Sequence, residues 1–225
     1  MTQETARTWA EISLSNLEHN YRALRACAPD SKFLGTVKAN AYGHGAAPVA
    51  KKLEALGADY LAVACLSEAR GLRAAGISAP ILILGATPPE LAGEVVELEV
   101  TQSVSTPELA KALSDAAGTR GRTAKVHLKC DTGMSRLGVL CQDPIRAADG
   151  LAALAAWPHL DAEGVFTHFA ASDEPGEDSE RYTMLQFTRF LDTLARCNRI
   201  TAWNLKSAIA PTAALCYNIP APTWT

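Results

Sequence analysis

The chain has 225 residues, 48% hydrophobic and 20% charged, an ordinary globular composition with enough length for one sizeable core. Its 21 basic and 24 acidic side chains leave a formal net charge of -3. That balance excludes an electrostatic footprint for nucleic acid or an anionic membrane, and makes a small molecule the expected partner.

The N-terminal MTQETARTWAEI lacks the basic and apolar regions of a signal peptide, and no apolar run approaches the ~20 residues that span a membrane. Cys27, Cys65, Cys130, Cys141, Cys197 and Cys216 are scattered, without C-x-x-C or a histidine at metal spacing. They read as reduced thiols of a cytoplasmic protein, and no metal is expected.

In chain order, residues 8–14 (TWAEISL) read as a strand outside the later rhythm, belonging to a separate sheet. Residues 33–37 (FLGTV) give an apolar strand, followed by a helix from Ala46 to Leu56 that ends at Gly57. Strand 60–64 precedes a helix from Leu66 to Ala75, closed by Gly76. Strand 80–84 is followed by a helix after Pro88-Pro89 to about Glu97, then strand 98–104. Thr106-Pro107 starts the next helix, with proline in the first turn, where its missing N–H costs nothing. Strands 124–129 and 163–169 come with helices near 144–156 and 180–197; Asp173–Glu180 is an acidic loop.

Apolar runs without alternation suggest strands buried on both faces, and regular strand–helix alternation suggests a parallel sheet covered by helices. Periodicity does not choose between an open sheet and a closed barrel. A complete eight-fold barrel takes about 250 residues, so the six units seen here would leave a barrel short of its last strands.

Three constellations can do chemistry. VKANAYGHG (37–45) delivers Lys38 at a strand end, followed by a glycine-rich turn. In parallel α/β folds that is where active sites are built, and a desolvated lysine amine can attack a carbonyl. Gly43 and Gly45 let backbone approach a ligand, and Tyr42 offers a hydroxyl to a phosphate. A lone lysine before a loop is ordinarily a surface lysine; here the nine-residue context singles it out.

LKCDTGMSRLG (128–138) holds Lys129, Asp131 and Arg136. Lys129 and Asp131 share strand parity, and Arg136 presents a planar fork suited to a carboxylate or phenolate. Taken alone, the cluster reads equally well as surface charge. GVFTHFA (164–170) ends an apolar run on His168, ordinarily the place of a satisfied core histidine. His127 lies in a strand beside Lys129, His44 belongs to the turn after Lys38, and His19 and His159 have no partner in sequence. No G-x-G-x-x-G, P-loop or G-x-S-x-G is present.

VKANAYGHG resembles the cofactor-lysine motif of the alanine racemases, barrel-type pyridoxal-phosphate enzymes. The order of the three motifs matches that family over roughly residues 9–195. The resemblance implies a parallel (β/α)8 TIM-type barrel, with an N-terminal strand (1–15) belonging to an absent β-domain and a cofactor-binding partial barrel over 16–195. It implies a Schiff base between Lys38 and pyridoxal 5'-phosphate, with Lys38 also the acid or base on one face of the substrate α-carbon. Tyr42 would bond the phosphate. Arg136 would hold the phenolic oxygen and help place the substrate carboxylate. Lys129, when carbamylated, would orient Arg136, and His168 would join the network around the second catalytic group. That group is a tyrosine from the C-terminal domain of the partner in a homodimer, which this sequence does not contain.

After about residue 195 the resemblance stops: the family expects HCANSAA and DMVRPG, whereas the tail reads SAIAPTAALCYNIPAPTWT. Back-translated and shifted by one base, residues 208–225 can encode HCANSGALLQHPGAHLDM, so a frame slip near Arg196 is the expected origin of segment 196–225. On this reading the chain is an alanine racemase piece lacking its last strands and its tyrosine, expected to be inactive and poorly soluble alone. The intact enzyme would interconvert L- and D-alanine for peptidoglycan precursors. The alternatives are a single-domain pyridoxal-phosphate homeostasis protein, another barrel-type racemase or decarboxylase, and a non-functional remnant.

Overall fold

A computed structural model describes residues 8–201 and 207–209. Strands form where β-branched and leucine residues run together: β1 (Leu34–Thr36), β2 (Tyr60–Val63), β3 (Ile81–Ile83), β4 (Thr101–Val104), β5 (Ala124–Asp131), β6 (Val139–Leu140), β7 (Leu160–Phe166) and β8 (Ser207–Ile209). Leu61, Ala62, Val63, Ile81, Leu82 and Ile83 are fully buried, as strands covered on both faces must be. All pair in parallel, in the order β1-β2-β3-β4-β5-β7-β8, with the short β6 off this path against β5. Among the described residues β1 and β8 do not pair with each other, so the barrel-type sheet is open between them.

The helices are α1 (Leu14–Cys27), the short α2 (Lys38–Tyr42), α3 (Ala46–Ala55), α4 (Leu66–Ala74), α5 (Ala92–Glu97, after a 3-10 turn at Pro89–Leu91), α6 (Pro107–Thr119), α7 (Pro144–Ala155) and α8 (Glu177–Thr201). Their starts carry the expected chemistry. Thr106 caps α6 by accepting from Leu109 N, and Asp143 caps α7 by accepting from Ile145 N and Arg146 N. Leu109, Ala110, Leu113 and Ala117 put one face of α6 into the core, each buried leucine contributing about 2 kcal/mol. Among the described residues no helix is long and apolar enough to cross a membrane.

The elements differ from expectation in three places. The 8–14 stretch forms no strand: residues 8–13 are irregular, and Ser13 caps α1 by accepting from Asn16 N, so its hydroxyl starts a helix where a strand was expected. A strand needs a pairing edge, and none among the described residues meets this segment. Strand 98–104 begins only at Thr101, because Glu99 takes a left-handed φ of 51° to turn the chain off α5. Strand 163–169 lies at 160–166, which leaves His168 in the loop beyond it. The expected start of the tail at 196 falls within α8; residues 1–7, 202–206 and 210–225 lie outside the described residues.

Candidate active site

The site is assembled at the C-terminal ends of β1, β5 and β7. Val37 N still donates to Ala62 O at 2.8 Å, so the chain stays in register with β2 up to the residue before Lys38. It then makes a left-handed turn: Ala39, Asn40, Ala41 and Tyr42 all have φ between 51° and 55°. For residues with a Cβ this costs about 1–2 kcal/mol each, and such strain persists only where the surroundings over-determine it. Here they do. Glu68, in the first turn of α4, accepts from Ala39 N and Ala64 N, each at 2.7 Å. Asn40 Oδ1 accepts from Ala46 N at 2.8 Å, and Gly45 N donates to Asn40 O at 2.9 Å. His44 Nδ1 lies 2.9 Å from Ala41 O, which makes this histidine part of the turn. Tyr42 is exposed at the mouth, with Lys38 Nζ 5.9 Å from its ring centroid.

Lys129 and Asp131 face one way on β5, and both are buried. Lys129 lies over the Phe166 ring, Nζ 4.1 Å from the centroid. Burial, and then the charge of Arg136, push its amine down to about 8. Asp131 Oδ1 accepts from Gly133 N at 2.9 Å and Ser135 N at 3.0 Å, folding the following loop back over the strand end. Gly138, at φ 136°, lets the loop return to β6: a Cβ there would stand 2.4 Å from Asp131 N. Arg136 sits exposed on this loop.

His168 stands two residues past the end of β7. The residue is exposed at the mouth, yet partly desolvated. Partial burial, and then Arg136, Lys129 and Lys38, hold its pKa below the ordinary value. Lys129, Asp131, Met134, Arg136, Leu137 and His168 line a small pocket. Leu137 also borders a larger cavity of about 330 Å³ beyond the ends of β3 and β4, walled by Thr87, Ser103 and Thr106.

The structure therefore brings Lys38, Lys129, Arg136 and His168 within electrostatic reach of one another, with Tyr42 on the same turn as Lys38. The one carboxylate lining the small pocket is Asp131, already engaged in its own loop. Glu68 was not legible in the sequence as part of the site. Its signal was an acidic residue in a first helical turn, which ordinarily means no more than a favourable helix dipole.

The fold is thus a parallel barrel-type sheet with a strained lysine turn and a cluster of cations at its C-terminal mouth, the end where such folds build their active sites. The family model described as the alanine racemase N-terminal domain matches residues 12–220, further into the tail than the motifs reach. Alanine racemase from Desulfovibrio desulfuricans is 47% identical over 188 residues, which cover 83% of this chain and 49% of that protein. The structure of alanine racemase from Clostridium difficile superposes with a TM-score of 0.87 at 36% identity, covering 94% of this chain and 54% of that one. A histidine racemase from Leuconostoc mesenteroides superposes at 0.76 with 29% identity, over 91% and 53% of the two chains. The chain belongs to the alanine racemase N-terminal domain family and spans about half the length of the curated relatives it matches.

Proposed function

We propose that this chain is the pyridoxal-phosphate-carrying part of an alanine racemase that works as a homodimer and supplies D-alanine for cell-wall precursors. The observation that carries the reading is the convergence of Lys129, Arg136 and His168 around a small pocket whose one carboxylate is occupied, with Lys38 within electrostatic reach of Lys129 and His168. Such a cluster of cations suits an anionic aldehyde cofactor.

When bound, the cofactor supplies an electrophilic carbonyl and a sink for the charge left at the substrate α-carbon. Lys38 would anchor it and carry a proton to and from one face of that carbon. The turn from Ala39 to Tyr42 fixes where the Lys38 amine points, and Tyr42 would meet the phosphate. The Arg136 fork would bind the phenolic oxygen and the substrate carboxylate. Lys129, with its amine near 8, is neutral in about a tenth of molecules at pH 7 and open there to carbamylation, whose negative charge would orient Arg136. His168, its pKa lowered, would serve as a neutral hydrogen-bonding partner.

The test is to incubate the 225-residue chain with pyridoxal phosphate, reduce with borohydride and map the label. Lys38 should be marked, and Lys38→Ala should abolish the mark. Label spread alike over surface lysines in both proteins would sink the reading. The likeness to a histidine racemase supports a second reading, a barrel-type racemase for another amino acid. The loaded protein should exchange the α-hydrogen of one alanine antipode for solvent deuterium faster than that of histidine; the reverse order would favour the second reading.

A further inference from the structure

The cationic cluster depends on two loops from different strands, Asp131–Arg136 after β5 and Thr167–Ala170 after β7. Both are held by a single face of α8. Tyr182, Gln186 and Arg189 follow one another at i, i+4 and i+7, so they lie on one side of the helix. The Tyr182 hydroxyl donates to Gly133 O at 2.7 Å, and Arg189 Nη1 donates to Thr132 O at 3.0 Å. These two side chains grip the first loop only.

Gln186 grips both loops. It is fully buried, and its amide is used at both ends. Oε1 accepts from Ala170 N at 2.9 Å; Nε2 donates to Thr132 Oγ1 at 3.2 Å and to His168 O at 3.3 Å. The Thr132 and Thr167 hydroxyls, 2.8 Å apart, close the network between the loops. Beside it, Phe169 packs edge-on against Phe187 of α8, with ring centroids 6.4 Å apart. A fully satisfied buried amide fixes a unique arrangement, because each bond it loses leaves a buried partner unpaired.

We propose that Gln186 is a positioning residue that sets Arg136 and His168 relative to each other by tying their two loops to α8. The proposal rests on the cofactor reading for its consequence but not for its geometry.

Gln186→Met keeps the side-chain shape and removes all three bonds. Hydrogen exchange on the 225-residue chain should quicken in the peptides covering 131–136 and 167–170 together, with β2 and β3 unchanged. Affinity for pyridoxal phosphate should fall by about ten-fold, since small misplacements of binding groups are costly. Thr183→Val supplies the control. Thr183 is buried on α8, and among the described residues its hydroxyl has no hydrogen-bond partner, so this variant should move neither readout.

Should Gln186→Met not fold, Gln186→Glu is read in its place; it keeps the acceptor for Ala170 and, when ionised, loses both donors. Faster exchange throughout the sheet, in one loop alone, or equally in Thr183→Val would overturn the proposal. So would loosened loops with unchanged cofactor affinity. Failure of the parent chain to take up the cofactor at Lys38, with both loops still loosened by Gln186→Met, would instead count against the functional reading and leave the tie standing.

Discussion

The two ends of β5 carry charge in opposite ways. Lys125, His127, Lys129 and Asp131 share one parity on this strand, yet at its lower end Glu163 of the neighbouring strand meets the basic groups, while at its upper end cations outnumber the one carboxylate, Asp131. Below, Glu163 of β7 gathers two donors, Tyr60 OH and Thr101 Oγ1 (the latter at 3.1 Å to its Oε1), while His127 Nε2 stands 3.7 Å away, beyond hydrogen-bond distance. Burial opposes ionisation of Glu163, but His127, Tyr60 and Lys125 together outweigh it and hold the carboxyl at about 2. The Tyr60 phenol is correspondingly pushed up, by burial first and then by Glu163. Above, burial first and then Arg136 push the Lys129 amine down, and Asp131 counters them only in part. A cluster whose charges match is a piece of structure; a buried cation facing more cations marks a place that an anion completes. On the proposed function, polar groups buried in one barrel interior serve two ends, stability at the N-terminal face and ligand binding at the C-terminal one.

The largest expected effect breaks the compensated end. Glu163→Ala should cost about 3 kcal/mol, because it removes a buried, hydrogen-bonded charge and leaves Tyr60 and Thr101 short of an acceptor. Urea denaturation at pH 7 measures it. The sign with pH follows from the depressed carboxyl. Glu163 stabilises fully above its ordinary 4.5, and this is lost as pH falls towards about 2. The gap between the parent and Glu163→Ala should therefore close across that window. A gap that stays constant would place the stabilisation in packing alone.

Much of this contrast was hidden in the sequence, for a physical reason. Strand positions were legible because residues such as those in YLAV and ILI are buried on both faces and leave uninterrupted apolar runs. Glu163 sits at the start of EGVFTHF, where a one-dimensional pattern shows one acid before a strand and nothing of Tyr60, which is 103 residues away. Lys38, Lys129, Arg136 and His168 were visible because they fall inside contiguous motifs, and the structure brings them together. The left-handed turn was not visible. Gly43 and Gly45 announce a turn, but the unusual φ values begin four residues earlier, on Ala39, and they are held by Glu68 from another helix. Gln186 was equally silent, since a lone glutamine in a helix carries no signal until its three partners are in place. The start of α1 was misread because apolar and polar residues alternate in TWAEISL, while the Ser13 cap that decides the matter is a single hydroxyl.

A smaller effect sharpens the other side. Lys129→Met replaces a buried ammonium, only partly offset by Asp131, with an apolar side chain of similar shape, and should stabilise the ligand-free chain by about 2 kcal/mol at pH 7. The pH dependence is the stronger check. Below about 8 Lys129 is protonated both folded and unfolded, and the full burial cost is present. Between about 8 and its ordinary 10.5 the folded form has released the proton and the unfolded form has not, so the parent gains stability as pH rises. The advantage of Lys129→Met should shrink through that interval. Carbamylation would remove the same positive charge, so in the presence of bicarbonate the advantage should shrink at pH 7 as well.

The smallest effect tests which of the partners of Glu163 matter. Lys125 Nζ lies 3.9 Å from Glu163 Oε2, and the lysine side chain is 57% exposed, against 11% for the glutamate. Solvent screens this pair, and holding a long side chain in place costs entropy, so Lys125→Ala should cost no more than about 0.5 kcal/mol. Tyr60→Phe removes a buried donor to the same carboxylate and should cost about 1–2 kcal/mol, with the larger effect on acid stability. Added salt should erase the Lys125 effect and leave that of Tyr60 unchanged, since a buried hydrogen bond is little screened. The reverse ranking would mean that the lower end of β5 is held by surface charge. It would then differ from the mouth only in the sign of its charges, and the division between a structural end and a binding end would fail.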